Sequence, residues 1–533
     1  MTFVSLPFFL FVFGLVVVYF LTPQKYQWLV LLVASYAFYW LNSKWLVLVL
    51  WGSTMVTFLT GFLLQKVYDK NQQAMQALGD QLTKDIKKQM KAQVKRAGKR
   101  IMLVGVLLVT AALLMLKYFN FFGENLNQLF QSLHWGATIP RLNLLLPLGI
   151  SYYTLQAIAY MVDVYREKTC ADRNPLRFML FLSFFPQIVQ GPIARHSQLA
   201  KQLYAGHRFD FRQCCFGAQL VLWGLFKKLV IAERLAIPVN YMFQHYNSFS
   251  GPILFLTVAL YGLQVYTDFS GGMEIARGVA QMLGIELELN FKQPYFSTSI
   301  EDFWRRWHIT MGSWMKDYIF YPLSLSKAFT KLSRRSRKIL GQYVGKRLPA
   351  FLAMFIVYFL VGFWHGANWK YVVYGLWNGT FIMSGILLEG VYAKAREKCG
   401  IQEEMVTWRM FRMIRTFVIV SFGRFFSGAL NLSTALTMFQ RTFYHWKDIS
   451  FLTNGKLFDL GHNNANWILL VVAIVVLFYV DYVHEMGVHL REVLARQPLV
   501  FRWVIYIGAI LVVMIFGHYG PAYDAASFIY EQF

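Results

Sequence analysis

The chain has 533 residues, of which 57% are hydrophobic, a composition typical of an integral membrane protein. Its formal charge of +25 comes from 52 basic and 27 acidic residues, but the basic runs carry no aromatic stacking platform, which argues against nucleic-acid binding. The four cysteines form no CxxC pair and no metal-ligand pattern, so we expect free thiols and no bound metal. The composition therefore predicts an all-α membrane protein.

Apolar segments recur along the whole chain and predict spanning helices, which need about 20 residues each. They lie at about residues 5–22, 26–41, 45–65, 101–118, 143–164, 176–194, 214–232, 252–268, 351–388, 413–428, 466–484 and 502–518. The first lacks the basic region and cleavage site of a signal peptide, so we interpret it as a retained helix. No soluble domain interrupts the series, and we predict a single membrane domain over residues 1–533.

Two basic segments indicate the orientation of the chain in the membrane. Residues 66–100 carry ten Lys or Arg and three Asp, and residues 324–348 carry eight and no acid. Such segments remain in the cytoplasm, and three helices before Lys66 then place the N-terminus outside. Residues 66–100 are rich in helix formers and predict a helical pair or a surface-lying helix. Residues 119–142 are predicted to form an external loop.

Proline and glycine interrupt the apolar segment that ends in FFPQIVQGPIARH. Pro186, Gly191 and Pro192 cannot continue a regular helix, so the segment predicts a re-entrant turn. His196 follows this turn and is a weaker functional candidate. It is one of nine histidines that otherwise look solvated or structural: His134, His196, His207, His245, His445, His462, His484, His489 and His518.

The segment LYGLQVYTDFSGGMEIARG places polar residues beside an apolar span. They are Gln264, Asp268 and Glu274. A carboxylate here either pairs with a basic residue such as Arg277 or positions a neighbour by hydrogen bonding. We favour a packing and pairing role over direct catalysis.

Residues 300–322, IEDFWRRWHITMGSWMKDYIFYP, predict one amphipathic interfacial helix that ends near Pro322. At 100° per residue His308 falls on the apolar stripe, together with Trp304 and Met311. The residues that fall on the other side are Asp302, Arg305, Arg306, Ser313, Lys316 and Asp317. His308 is therefore predicted to point into the protein.

A second histidine interrupts the long apolar run 349–389, within GFWHGANW. His365 is about 15 residues from the start of the run, or about 20 Å along a helix, which predicts a position deep in the bilayer. Gly362, Gly366 and Asn368 are poor helix formers and predict a helix break beside it. Such a break is tolerated inside the protein or beside a wet cavity.

One histidine on an apolar face is more often a packed core residue than a catalyst, but two with a helix break favour function. A desolvated imidazole stays neutral and can act as a base, as acyl transfer to a hydroxyl requires. The chain shows no GxSxG elbow and no nucleotide-binding fingerprint. A covalent acyl-serine route and ATP-driven transport therefore have little support.

Several motifs together resemble the membrane-bound O-acyltransferase (MBOAT) family, in particular the bacterial branch that O-acetylates exported polysaccharides such as alginate. The resemblance covers the whole chain and is densest over residues 143–390. The matching segments are LPLGISYYTLQAIAYMVDVYRE, FFPQIVQGPIARH, YTDFSGGMEIARG, EDFWRRWHITMGSWMKDYIFYPL, GFWHGANWKYVVYGLWNG and the terminal SFIYEQF. The two histidine motifs, in this order and separation, are the specific part.

The resemblance implies a multi-spanning fold of tilted and re-entrant helices around a central channel. His365 matches the intramembrane histidine of the family and His308 the histidine of its WRRWH motif, and both are implied to face the channel as catalytic residues. We expect these residues to shape the site: Trp304, Asn368, Trp369, Asp268 and Gln264. The basic insertion at 324–348 is long for the family and implies an altered cytoplasmic face.

The resemblance also implies an activity: transfer of an acyl group, most simply acetyl, from cytoplasmic acetyl-CoA across the cell membrane. The acceptor would be a hydroxyl of a cell-surface or exported glycan, or an extracytoplasmic acetyltransferase that passes the group on. The donor is a substrate, and no tightly bound cofactor is expected. Two alternatives are D-alanyl transfer to teichoic acid from an acyl carrier protein, and polysaccharide transport with the histidines as a proton relay.

Overall fold

The computed structural model describes residues 1–444, 446, 455 and 460–519. These residues form helices and the connections between them, with no β-strand apart from an isolated antiparallel bridge between Phe291 and Trp307. The prediction of an all-α protein is therefore confirmed. His445 and the terminal SFIYEQF motif lie outside the described residues.

Within the described ranges, eight helical segments are long and apolar enough to cross a membrane. They are Gln24–Ala77, Lys84–Ser132, Phe211–Gln244, Gly251–Met282, Lys327–His365, Trp369–Lys398, Asn464–Glu485 and Leu499–Phe516. The apolar helix Leu6–Leu21 has 16 residues. The chain is thus a multi-pass membrane protein, as its composition predicted. Its orientation stays a prediction.

The chain divides into two compact units. The first comprises Met1–Gly217 and Val279–Glu288, and the second Ala218–Gly278 and Leu289–Phe533. The α-helices of the first unit are Leu6–Leu21, Gln27–Ser43, Val47–Ala77, Lys84–Leu113, Phe119–Ser132, Ile150–Tyr165, Pro175–Ser183, Phe185–Ile188 and His196–Tyr204. The helices Phe211–Leu225 and Gly251–Met282 contribute residues to both units. The prediction of a single domain stays a prediction.

The basic segment 66–100 of the first unit forms the ends of two packed helices. Helix Val47–Ala77 and helix Lys84–Leu113 are joined by a short turn, and the Thr83 hydroxyl caps the second by accepting a hydrogen bond from the Ile86 N–H. The prediction of a helical pair is confirmed.

The predicted external loop at 119–142 is wrong for its first half. The helix that starts at Lys84 continues through a π-helical turn, Leu114–Tyr118, into helix Phe119–Ser132. Asparagines of this helix bind the following segment: the Asn120 side-chain amide donates a hydrogen bond to the Leu142 carbonyl, and its oxygen accepts one from the Leu142 N–H. Polar side chains here satisfy a neighbouring backbone, a role that composition does not reveal.

The predicted interruption before His196 is confirmed. Helix Pro175–Ser183 ends, Phe185–Ile188 forms a single turn, and residues 184–194 are all buried. The non-helical backbone of this segment is thus enclosed by protein, as it must be if the segment lies within the membrane. His196 lies 3.5 Å from the Asp172 carboxylate and packs edge-on against Tyr160. His196 therefore has a polar partner, Asp172, within the first unit.

The second unit contains the two histidine motifs. Its further α-helices are Glu233–Gln244, Ile300–Arg306, Ile309–Met315, Tyr321–Ser324, Lys327–His365, Trp369–Lys398, Val406–Gly428, Leu432–Tyr444, Asn464–Glu485, Leu490–Ala495 and Leu499–Phe516. Two π-helical segments, Phe226–Ala232 and Lys316–Phe320, interrupt the regular winding.

Buried ion pairs hold helix Gly251–Met282 to the π-helical segment Phe226–Ala232. Lys228 Nζ lies 2.5 Å from the Asp268 carboxylate and 2.5 Å from that of Glu233, while Lys227 Nζ lies 2.7 Å from that of Glu274. The prediction that these carboxylates pair with basic side chains is confirmed. The partners of Asp268 and Glu274 in these contacts are the two adjacent lysines.

Candidate active site

The break at His365 is confirmed. Helix Lys327–His365 ends at the histidine, and the Asn368 side chain starts helix Trp369–Lys398 by accepting a hydrogen bond from the Lys370 N–H at 3.0 Å. The long apolar run is therefore a helical hairpin with His365 at its turn, and not one helix with a histidine at its middle. The distance of about 20 Å from the start of the apolar run to His365 is therefore the length of one arm of this hairpin.

The two arms of the hairpin approach each other closely at glycines. A Cβ atom at Gly375 would lie 2.2 Å from the carbonyl oxygen of Tyr358, and one at Gly362 would lie 2.4 Å from that of Tyr371. Both distances are far inside van der Waals contact, so only glycine fits at these two positions. The glycines thereby fix the position of His365 relative to the second arm of the hairpin.

His308 sits at a second break, which corrects the prediction of one continuous helix over 300–322. Helix Ile300–Arg306 ends, Trp307 is extended, and His308 adopts the left-handed conformation (φ 48°, ψ 52°) before helix Ile309–Met315. Few non-glycine residues adopt this conformation, and such outliers cluster at functional sites.

A short extended segment explains the break at His308. The Lys292 N–H donates to the Arg306 carbonyl and the Ile309 N–H donates to the Asn290 carbonyl, so backbone pairing replaces helical bonds on both sides of the histidine. The Asn290 side-chain oxygen also accepts from the Thr310 N–H at 2.9 Å and from its hydroxyl at 3.0 Å. Helical periodicity could not predict this pairing, because Asn290 belongs to another segment.

The His308 ring is 2% exposed, which confirms that it points into the protein. Burial, with a smaller contribution from the nearby His365, holds the pKa of His308 well below its usual value, so the ring is neutral. Its Nδ1 faces the Asn290 side-chain oxygen at 3.4 Å. An acceptor at this position favours the tautomer with the proton on Nδ1, which leaves a basic lone pair on Nε2.

The two histidines meet in one aromatic cluster. The Trp364 ring lies 5.8 Å from the His308 ring and 5.2 Å from the His365 ring, measured between centroids. Phe269 packs edge-on against His308 at 4.9 Å, and Tyr374 against His365 at 6.0 Å. Two imidazoles separated by 57 positions in the sequence thus share an apolar surrounding.

His365 lines a small, narrow cleft. The cleft is lined by Tyr261, Val265, His365, Tyr371, Tyr374, Arg424 and Ser427. Arg424, 2% exposed, was missed in the sequence. The rule that a charge within an apolar helix marks a functional site would have found it in VSFGRFFSG, and Lys227 and Lys228 in GLFKKLVIA.

The residues predicted to shape the site occupy different positions. Trp304 packs 6.4 Å from Tyr374, and its indole N–H donates to the Asn378 side chain at 3.3 Å. Asn368 caps the helix after His365, whereas Trp369 is 50% exposed and does not line the cleft.

Helix Gly251–Met282 reaches the site through residues other than those expected. Tyr261 and Val265 line the cleft and Phe269 touches His308, whereas Asp268 belongs to the ion pair with Lys228. Gln264 is 6% exposed and does not line the cleft. Neither polar side chain is among the residues that line the cleft.

Comparison with known proteins decides the family. The model of the family MBOAT, membrane-bound O-acyltransferase, matches residues 33–430, which include both histidine motifs. The chain belongs to this family. It is accordingly an O-acyltransferase, and its two buried histidines lie in the matched region.

Relatives of the chain are named for action on different polymers. The chain is 32% identical to a probable alginate O-acetylase, AlgI, of Pseudomonas syringae pv. tomato, over 83% of this chain and 73% of that protein. It is 32% identical to a peptidoglycan O-acetyltransferase of Helicobacter pylori, over 64% of each chain. A teichoic acid D-alanyltransferase of Bacillus subtilis is 28% identical over 46% of this chain and 60% of that protein.

Proposed function

We propose that this MBOAT acyltransferase transfers an acetyl group from cytoplasmic acetyl-CoA across the cell membrane to a hydroxyl of a cell-surface or exported polysaccharide, directly or through an extracytoplasmic acetyltransferase. The observation that carries the proposal is the convergence of His308 and His365 on Trp364, with His365 open to a cleft. Relatives named for O-acetylation match more of the chain than relatives named for D-alanylation do.

The reaction follows from the chemistry of a buried imidazole. His365, which lines the cleft, removes the proton from the acceptor hydroxyl as its oxygen attacks the thioester carbonyl. The resulting tetrahedral intermediate collapses and the carbon–sulfur bond breaks. The CoA thiolate then takes the proton that the imidazolium of His365 had removed from the hydroxyl. The acetyl group has then moved from sulfur to oxygen with no oxidant or metal consumed. His308 orients or shares protons with the reacting groups.

Two basic segments at helix ends would give the cytoplasmic face, where the donor is proposed to bind, a positive charge. The segments 66–100 and 324–348 are rich in exposed lysine and arginine, and cytoplasmic loops concentrate such residues. A cytoplasmic location of these segments would draw the phosphates of CoA towards the same face. Labelling single cysteines placed at Lys88 and Lys338 with a membrane-impermeant thiol reagent tests this orientation; labelling of intact cells would contradict it.

The direct test measures the O-acetyl content of the surface glycan in a deletion strain that carries variants of the chain. We expect His365→Ala and His308→Ala to lower it about 100-fold or more, the usual contribution of a general base. His134→Ala is the matched control, because His134 also has positive φ but is exposed. Normal acetylation by either variant at normal protein level would overturn the assigned role.

D-alanyl transfer is a second candidate, because a D-alanyltransferase is among the relatives. The basic segments would then dock an acidic carrier protein in place of CoA. Deletion of the gene separates the two: loss of teichoic acid D-alanine with constant O-acetyl content would favour D-alanylation. Loss of O-acetyl content alone would favour the acetyl transfer proposed above.

A further inference from the structure

Arg424 is a buried cation in the same cleft as His365. Its side chain is 2% exposed and lies in helix Val406–Gly428, which has no part in either histidine motif. Burying a guanidinium is costly, so a cation retained at this depth beside a histidine is a candidate functional group.

Aromatic rings hold the guanidinium between the two histidine segments. Its carbon lies 4.8 Å from the centre of the Trp307 ring and 5.7 Å from that of Tyr374. Trp307 precedes His308 in the chain, and Tyr374 faces His365. Contacts between a cation and ring faces fix the orientation of the guanidinium without neutralising its charge.

The positive charge of Arg424 lowers the free energy of negative charge on nearby oxygens. Burial raises the pKa of the Tyr295 hydroxyl, and the nearby Arg424 guanidinium partly opposes this rise by favouring the phenolate. An oxygen that gains negative charge in this cleft is stabilised in the same way, and more strongly than in water because the surroundings are apolar.

We propose that Arg424 is a further catalytic residue, which stabilises the oxyanion of the tetrahedral intermediate. This inference rests on the proposed acyl transfer. As the hydroxyl oxygen bonds to the thioester carbon, the carbonyl π electrons move to the carbonyl oxygen, and the guanidinium donates hydrogen bonds to that oxygen. When the oxyanion reforms the carbonyl, the carbon–sulfur bond breaks and the thiolate leaves with the proton held by His365. Arg424 itself gains and loses no proton.

The test uses membrane vesicles from a deletion strain that expresses each full-length variant, supplied with radiolabelled acetyl-CoA. Label incorporated into glycan is measured against acetyl-CoA concentration and divided by the amount of folded protein. We expect Arg424→Met to lower the maximal rate about 100-fold or more and to change the KM for acetyl-CoA less than about threefold. Arg424→Lys, which keeps the charge without the planar fork, should fall between Arg424→Met and wild type.

Arg409→Met is the matched control, because Arg409 lies in the same helix, has a 58% exposed side chain, and should behave like wild type. If Arg424→Met does not fold, Arg424→Gln provides the same test with a polar side chain of similar length. An unchanged maximal rate, or a raised KM alone, would overturn the role of Arg424 while leaving acyl transfer intact. Full activity of His365→Ala would instead contradict the proposed function.

Discussion

The indole of Trp364 lies 5.8 Å from the imidazole of His308, although Trp364 belongs to the helix that ends at the other histidine. The ring therefore links the two histidine segments by direct packing. Its spacing sets how far apart the two imidazoles can lie, since both of them contact it.

Replacing Trp364 should lower activity more as more of its ring is removed. We expect Trp364→Phe to retain most acetylation, because a smaller ring keeps the apolar contact, and Trp364→Ala to lower it at least about 10-fold through misplacement of the imidazoles. Surface O-acetyl content at matched protein level measures both. The exposed Trp369→Ala is the control. Equal activity of Trp364→Ala and wild type would show that the spacing has no role.

Asn290 should stabilise the protein through its side-chain oxygen. Asn290→Ala removes an acceptor of the buried N–H and hydroxyl of Thr310, and each hydrogen bond lost in this way costs about 0.5–1.5 kcal/mol. We expect a lower thermal midpoint in detergent and a matching loss of activity. Asn431→Ala removes one exposed cap to Thr434 and should cost about 1 kcal/mol. A smaller effect at Asn290 than at Asn431 would contradict this account.

The buried ion pairs should respond strongly to the loss of one partner. Lys228→Met leaves the carboxylates of Asp268 and Glu233 buried without this cation and should destabilise the protein by about 3–5 kcal/mol. Adding Asp268→Asn should recover part of that loss. Thermal midpoints of the two single variants and the double variant measure the coupling. The exposed pair Arg396–Glu403 is the control, and Arg396→Met should cost about 0–1 kcal/mol. Strict additivity at Lys228 and Asp268 would argue against the pair.

Acid should destabilise the protein through buried neutral histidines. Burial holds the pKa of His308 and His462 below the usual value and lowers that of His518 to about 4. The unfolded chain binds protons at these histidines as the pH falls through about 6.5, whereas the folded chain does not. The free energy of unfolding therefore falls as the pH drops from about 6.5 towards 4.

His518→Gln removes one of these histidines, so the decline of its thermal midpoint with falling pH should be shallower than in wild type. His134→Gln, at an exposed position, is the control. Parallel declines in His518→Gln and wild type would contradict the assignment of His518 to this acid response.

The sequence predicts those features that depend on neighbouring residues. The helix break beside His365 follows from glycine and asparagine at adjacent positions, and the burial of His308 follows from its place in an apolar stripe. The break at His308 does not, because it depends on backbone pairing with Asn290. Likewise, a charge within an apolar helix marks Arg424 as a candidate, but its position in the same cleft as His365 leaves no local pattern in a single sequence.

The close contact of Gly362 and Gly375 with the opposite arm has a consequence for the size of the transferred group. Helices in such close contact cannot move closer together or slide past each other without steric overlap, so the wall of the cleft that carries His365 and Tyr374 has little room to rearrange. Space for an acyl group longer than acetyl then comes most directly from the other lining residues, Tyr261, Val265 and Ser427. Smaller side chains at these positions, with the hairpin unchanged, are therefore the route by which this scaffold would accept longer acyl chains.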